Sequence, residues 1–197
     1  MQDNLNIKAK ELSIAEKAYI DGEDNTAYKI FSKYAQEDDS YSQVCLGYLM
    51  VHGIGVDKNE EEGYTWIKKS ADSHDPLGEY WYAKSIIKHD EALALKYFML
   101  SSEQGNKDAK HDYALCLLEG IGCKIEKQKA IEVLKENFKD GHLESMRFLA
   151  YYGIRFEFGH INSIKSVYWF FKTIIKAANE RYIPSETADL KCPIKGG

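Results

Sequence analysis

One near-repeat governs what this chain of 197 residues can fold into. The segment Ser42-Gln-Val-Cys-Leu46-Gly47-Tyr-Leu-Met50-Val-His-Gly53-Ile-Gly55-Val56 is followed by Gly63-Tyr-Thr-Trp66-Ile-Lys-Lys-Ser70-Ala71. The pattern returns 67 residues later as Ala109-Lys-His-Asp-Tyr113-Ala114-Leu-Cys-Leu117-Leu-Glu-Gly120-Ile-Gly122-Cys123, then Ala130-Ile-Glu-Val133-Leu-Lys-Glu-Asn-Phe138. A shortened copy lies between them, at Gly78-Glu-Tyr-Trp-Tyr82-Ala83 and then Ala94-Leu-Lys-Tyr97-Phe. Ala27, Gly63, Ala94 and Ala130 occupy one equivalent position at intervals of 36, 31 and 36 residues. A period between 20 and 50 residues marks a repeat architecture, in which each unit is too small to bury its own apolar faces and must stack on its neighbours.

The composition of each unit predicts a helix hairpin. Leu46 and Met50 stand at helical spacing beside Gly47, which lets a neighbouring helix come close. Gly53 and Gly55 can take positive φ, ending the first helix and reversing the chain into a second that carries Trp66, Ile67, Ser70 and Ala71. These residues resemble the Sel1-like repeat family, whose unit reads Ala-x3-Leu-Gly-x2-Tyr-x2-Gly-x-Gly-Val and then Lys-Ala-x2-Trp-x2-Lys-Ala-Ala-x2-Gly. The match is closest from Ser42 to His74. Ser42 and Gly78 replace the first alanine, Gly63 replaces the second-helix alanine, and the shortened copy has Ile87-Lys88-His89 where the Gly-x-Gly turn belongs.

The resemblance implies an all-α fold, a right-handed α-solenoid of stacked antiparallel helix hairpins over residues 1–183. About five units are expected. The first is half-degenerate, from about Glu11 to Gln36; three clear units run to about Asp140; a degenerate last unit runs from Ser145 to Ala178. The apolar stretch from Val167 through Phe171 to Ile175 is expected to close the stack, and to be the contact if the monomer forms a weak homodimer. Residues 184–197 read as an irregular tail.

Charge and composition exclude several classes. The chain has 26 Lys and Arg against 31 Asp and Glu, a net charge of −5, and residues 1–63 alone carry −7. A pI near 5.7 lacks the basic footprint of a nucleic-acid binder. No segment reaches the ~20 apolar residues of a membrane span, and the first residues contain no signal-peptide core, which gives a cytoplasmic expectation. Cys45, Cys116, Cys123 and Cys192 show no CxxC or regular pairing and read as reduced thiols.

The sequence pattern offers no complete chemistry-bearing motif. Gly53-Ile-Gly55 and Gly120-Ile-Gly122 follow no strand and lack a Gly-Lys-Ser/Thr, so they read as turn glycines and not as a phosphate cradle. His74-Asp75, His89-Asp90 and His111-Asp112 place adjacent side chains about 100° apart on a helix, and no His-x3-His sets two imidazoles on one face. Cys116 follows His111 by five residues, a poor spacing for a Cys–His pair. The expectation is no enzyme, no catalytic residue, no metal and no cofactor, a weak hydrolase using a groove histidine being the remote alternative.

Function is then expected on a surface. If the first helix of each unit lines a concave side, the positions the core does not use are Val44, Tyr48 and His52; Tyr80, Lys84 and Lys88; His111, Leu115 and Glu119; and Arg147, Tyr151 and Arg155. Only one acid stands among these twelve, whereas Asp57 and Glu60–Glu62 lie at a second-helix start. Tyr and Arg are residues that anchor interfaces. The expected activity is non-catalytic binding of an acidic segment of a partner protein or peptide. Short bacterial proteins resembling this one serve as adaptors, regulators and immunity proteins encoded beside secreted toxins, so a toxin domain is the specific partner expected and a scaffold in a larger complex the alternative.

Overall fold

The computed structural model describes residues 2–154, with side chains from residue 4 to residue 149. Among the described residues the fold is all-helical: α1 (Gln2–Ile20), α2 (Asp24–Gln36), α3 (Ser40–His52), α4 (Glu60–Asp72), α5 (Pro76–Ile86), α6 (Glu91–Glu103), α7 (Lys107–Glu119), α8 (Lys127–Lys139) and α9 (Leu143–Ile154). They fall into two compact units, residues 2–88 with α1–α5 and residues 89–154 with α6–α9. The apolar stretch from Val167, the tail from residue 184 and Cys192 lie outside the described residues.

In unit 1 each helix packs on the next, and α3 also touches α5. Phe31, Val44, Leu46, Leu49 and Trp81 form the core. The hairpin α3–α4 is closed by two facing glycines. A Cβ on Gly47 would lie 2.5 Å from the Gly63 carbonyl oxygen, and one on Gly63 would lie 2.7 Å from that of Gly47, so the two backbones touch where any side chain would separate them. The predicted glycine turn is observed: Gly53 ends α3 in the left-handed conformation at φ 68°, and Gly120 ends α7 at φ 78°. The second glycine of each turn has another task. Gly55 lies against the carbonyl of Asp24 at the start of α2, and Gly122 against that of Glu91 at the start of α6, too close in both cases for a Cβ. Each Gly-x-Gly loop thereby seats on the preceding second helix.

In unit 2 the same contacts recur at the 67-residue offset. Ser70 Oγ donates to the Ser40 carbonyl at 3.0 Å, and its counterpart Asn137 donates from Nδ2 to the Lys107 carbonyl at 2.8 Å. The Asn59 N–H donates to the Met50 carbonyl at 2.9 Å, and the Glu126 N–H to that of Leu117 at 2.7 Å. Ala27, Gly63, Ala94 and Ala130, aligned by sequence, are all buried. Leu134 and Ala114 form the centre of an apolar cluster with Leu149 of α9.

Two features depart from expectation. The first hairpin starts well before Glu11, because α1 is a helix from Gln2, with Lys8 paired to Asp39 at 2.7 Å and Glu11 to Lys33 at 2.6 Å. The helix starts also carry a periodic signal. Asp39 accepts the Ser42 N–H at 2.8 Å, Asp75 accepts those of Leu77 and Gly78 at 3.0 Å, and Asn106 accepts that of Ala109 at 3.0 Å. The next member of the series, 36, 31 and again 36 residues on, is His142, whose Nδ1 accepts the Ser145 N–H at 3.2 Å.

Candidate interaction surface

The twelve positions drawn from the sequence do not share one environment. Val44 is fully buried and Tyr48 is 9% exposed, so neither is a groove residue. The cause is the enclosure of α3 by α2, α4 and α5, which buries every residue from Ser42 to Val51. On α3, positions three and seven therefore belong to the core, whereas the same positions on α5 and α7 are half-buried.

Around Tyr48 an aromatic chain runs outward. Its ring is tilted against the His52 ring with centroids 4.3 Å apart and meets Trp81 edge-on at 5.5 Å, and Trp81 meets Tyr80 edge-on at 5.9 Å. Trp81 and Tyr48 thus hold in place the exposed His52 and the half-buried Tyr80. Lys84, half-buried, follows Tyr80 by one helical turn, and Lys88 is exposed in the turn after α5. Partial burial and the Lys58 ammonium hold the His52 imidazole below its ordinary pKa, against an opposing pull from Glu60, so the ring is neutral at pH 7 and the lysines supply the charge. α3 contains no acid, and the one acid of α5, Glu79, is 1% exposed. This face of unit 1 is accordingly aromatic and cationic with no carboxylate of its own helices in solvent.

Unit 2 does not repeat that surface. Leu115 is half-buried and Glu119 exposed on α7, and Arg147 on α9 lies 3.1 Å from Glu144, three residues earlier. The side chain of Tyr151 and all of Arg155 lie outside the described residues. His111 faces inward: its Nδ1 lies 3.1 Å from Ser145 Oγ and its ring meets Phe148 edge-on at 5.9 Å. Around it is a cluster that the sequence did not reveal, in which His142 Nε2 is 3.0 Å from Asp108 Oδ1 and His142 Nδ1 is 2.9 Å from Ser145 Oγ. Acid, imidazole and hydroxyl in line are the parts of a nucleophilic triad. Ser145, however, is fully buried, and its hydroxyl also receives Asn137 Nδ2 at 2.9 Å, which leaves it neither access nor a spare bonding position. The cluster is a joint between α7, α8 and α9.

Of the remaining candidates, His74 and His89 are exposed. Cys116 is buried, and burial together with the nearby Asp112 carboxylate pushes its thiol up to about 12, away from the reactive thiolate. Among the described residues no group of three His, Cys, Asp or Glu side chains is placed to hold a metal ion, and no helix is long and apolar enough to cross a membrane.

The hairpins with their glycine turns have counterparts in known proteins. The Sel1 repeat family matches residues 40–75, 77–106 and 107–132. The chain carries three Sel1 repeats. The α1–α2 hairpin lies before the matched segments, and α9 after them. A Sel1 repeat protein from Oxalobacter formigenes is similar at 23% identity and a TM-score of 0.76, over 92% of this chain and 78% of that one. A protective antigen of uropathogenic Escherichia coli strains, described as displaying an SLR fold, is 26% identical with a TM-score of 0.68 over 84% of this chain. The alignment spans only 38% of that antigen. The MamA protein aligns over 90% of this chain at 19% identity and a TM-score of 0.51, a likeness of fold alone. No curated protein matches the chain. Sel1 repeats suggest a scaffold for protein–protein interaction, and the family is generally non-catalytic.

Proposed function

We propose that this Sel1-repeat chain is a non-catalytic binding module that holds an acidic segment of a partner protein on the α3–α5 face of unit 1. The observation that carries the proposal is the absence of any exposed carboxylate on those two helices, in a chain whose acids outnumber its bases, beside Tyr80, Lys84, Lys88 and His52. Aromatic rings anchored by buried neighbours offer contact area at little entropic cost, and lysines around them steer an acidic segment and fix its register. The test is capture of partners from the source cell by the unmodified chain and by a Lys84→Glu/Lys88→Glu variant. Loss of the same protein from the variant capture supports this face, and equal recovery from both contradicts it.

A second reading rests on the acids at the start of α4, which adjoin His52. Asp57, Glu60, Glu61 and Glu62 are all exposed at the start of α4 and suit a basic partner, such as a nuclease toxin that an immunity protein would neutralise. Replacing Glu60, Glu61 and Glu62 with lysine separates the two readings, since it abolishes binding of a basic partner to these acids and leaves binding of an acidic segment intact or stronger.

A further inference from the structure

The cap series of the first helices changes its chemistry at its last member. Asp39, Asp75 and Asn106 cap α3, α5 and α7 through side-chain oxygens, which accept an N–H equally well on either side of neutrality. His142 caps through Nδ1, and an imidazole nitrogen accepts only while it carries no proton. The ring proton therefore sits on Nε2 and is donated to Asp108 Oδ1 at 3.0 Å. Ser145 Oγ, 2.9 Å from the same unprotonated Nδ1, gives its hydrogen to it. The hydroxyl then accepts from Asn137 Nδ2 at 2.9 Å and from His111 at 3.1 Å, so His111 carries its proton on Nδ1. The two histidines, with ring centroids 5.4 Å apart, hold opposite tautomers around one saturated hydroxyl.

A second proton on His142 does not fit this arrangement. Nδ1–H would oppose the Ser145 N–H and force a third donor onto a hydroxyl that already receives two. It would also place a cation at the positive end of α9. Asp108 pulls the other way, but its side chain is 49% exposed and the attraction is screened by water. His111 already donates from Nδ1, and a proton added at Nε2 leaves that bond intact. The remaining charged groups near the joint have partners of their own. Asp140, in the turn before His142, lies 3.6 Å from Lys110 of α7; Lys110 also lies 3.4 Å from Glu136 of α8; and Glu144 of α9 holds Arg147. Asp112 of α7 stands one turn beyond Asp108, and the α8 side chain in direct contact, Asn137, is neutral.

We propose that His142 makes the start of α9 a proton-sensitive joint. When His142 takes up a second proton, the cap on Ser145 is lost and the first turn of α9 loosens from α7 and α8. The other first helices keep their caps. The test is hydrogen exchange of the Ser145 amide in the full chain at pH 7.5 and 5.5, scaled to its intrinsic rate. The Ala109 amide, held by Asn106 at the equivalent place, is the internal reference. Protection of Ser145 is expected to fall about tenfold relative to Ala109 in the unmodified chain and to stay level in His142→Asn, which restores the amide cap of α7. Equal protection of Ser145 at both pH values, or the same fall in the variant, overturns the proposal. If the variant does not fold, ring-nitrogen NMR of the unmodified chain at pH 7.5 decides. A proton on His142 Nε2 and on His111 Nδ1 supports the joint, and a proton on His142 Nδ1 overturns it.

Discussion

Gly47 shows how a single missing side chain sets the distance between two helices. An alanine in an exposed helix interior is better than glycine by about 1 kcal/mol. At residue 47 the new methyl would stand 2.5 Å from a backbone oxygen and 2.7 Å from Ile67, so overpacking outweighs propensity. Gly47→Ala is expected to destabilise unit 1 by about 1–3 kcal/mol in urea denaturation, and a stabilised variant would show that the hairpin has room to open. Cys116 offers a second test at this scale. A thiol pushed up to about 12 and buried should resist iodoacetamide at pH 8 in the folded chain and react only after denaturant is added. Rapid labelling of Cys116 without denaturant would contradict its placement in the core.

At the scale of helices, the caps are the most regular device. Asp75 satisfies two N–H groups of α5 at once, and Asp75→Ala is expected to cost about 1 kcal/mol, measurable as a lower denaturation midpoint. Asp39 adds a pH dependence. Burial raises its pKa, but the bonds from Lys8 and Ser42 outweigh that and hold the carboxyl below the ordinary carboxylate value. A folded pKa below the unfolded one gives stability that is present above about pH 4 and is lost as pH falls through the folded value. Asp39→Asn keeps the cap and loses the Lys8 pair. Its deficit against the unmodified chain should therefore be full at pH 6 and shrink below pH 4, and a deficit that does not change with pH would refute the role of the charge.

The same scale explains what could be read in advance. The hairpins and glycine turns were legible because Gly53 and Gly120, or Ala27 and Ala94, serve the same local purpose in each unit. Gly55 was legible as a turn residue but not as the seat on Asp24, since that contact joins parts of the chain 31 residues apart. Val44 and Tyr48 were misplaced because exposure of an internal first helix depends on its three neighbours and not on its own periodicity. The triad-like cluster at Ser145 escaped because Asp108 and His142 come from different helices. The cap rhythm was present in the sequence at Asp39, Asp75 and Asn106, and following it would have marked His142 as the odd member.

For the whole molecule, the charge of −5 is less informative than its placement. Acids stand exposed at the start of α4, while the α3–α5 face keeps its single acid buried and presents lysines around fixed aromatic rings. If that face binds, affinity should fall with ionic strength, because exposed charges separated by more than about 8 Å are largely screened at physiological salt. The most direct measurement is titration calorimetry of the captured partner against the unmodified chain, Lys84→Glu/Lys88→Glu, and the variant with Glu60, Glu61 and Glu62 replaced by lysine, each at low and physiological salt. The account predicts at least a tenfold loss of affinity, about 1.4 kcal/mol, and a flatter salt dependence for the lysine variant, with the glutamate variant binding as well as the unmodified chain. Unchanged binding by the lysine variant, together with loss in the glutamate variant, would contradict it.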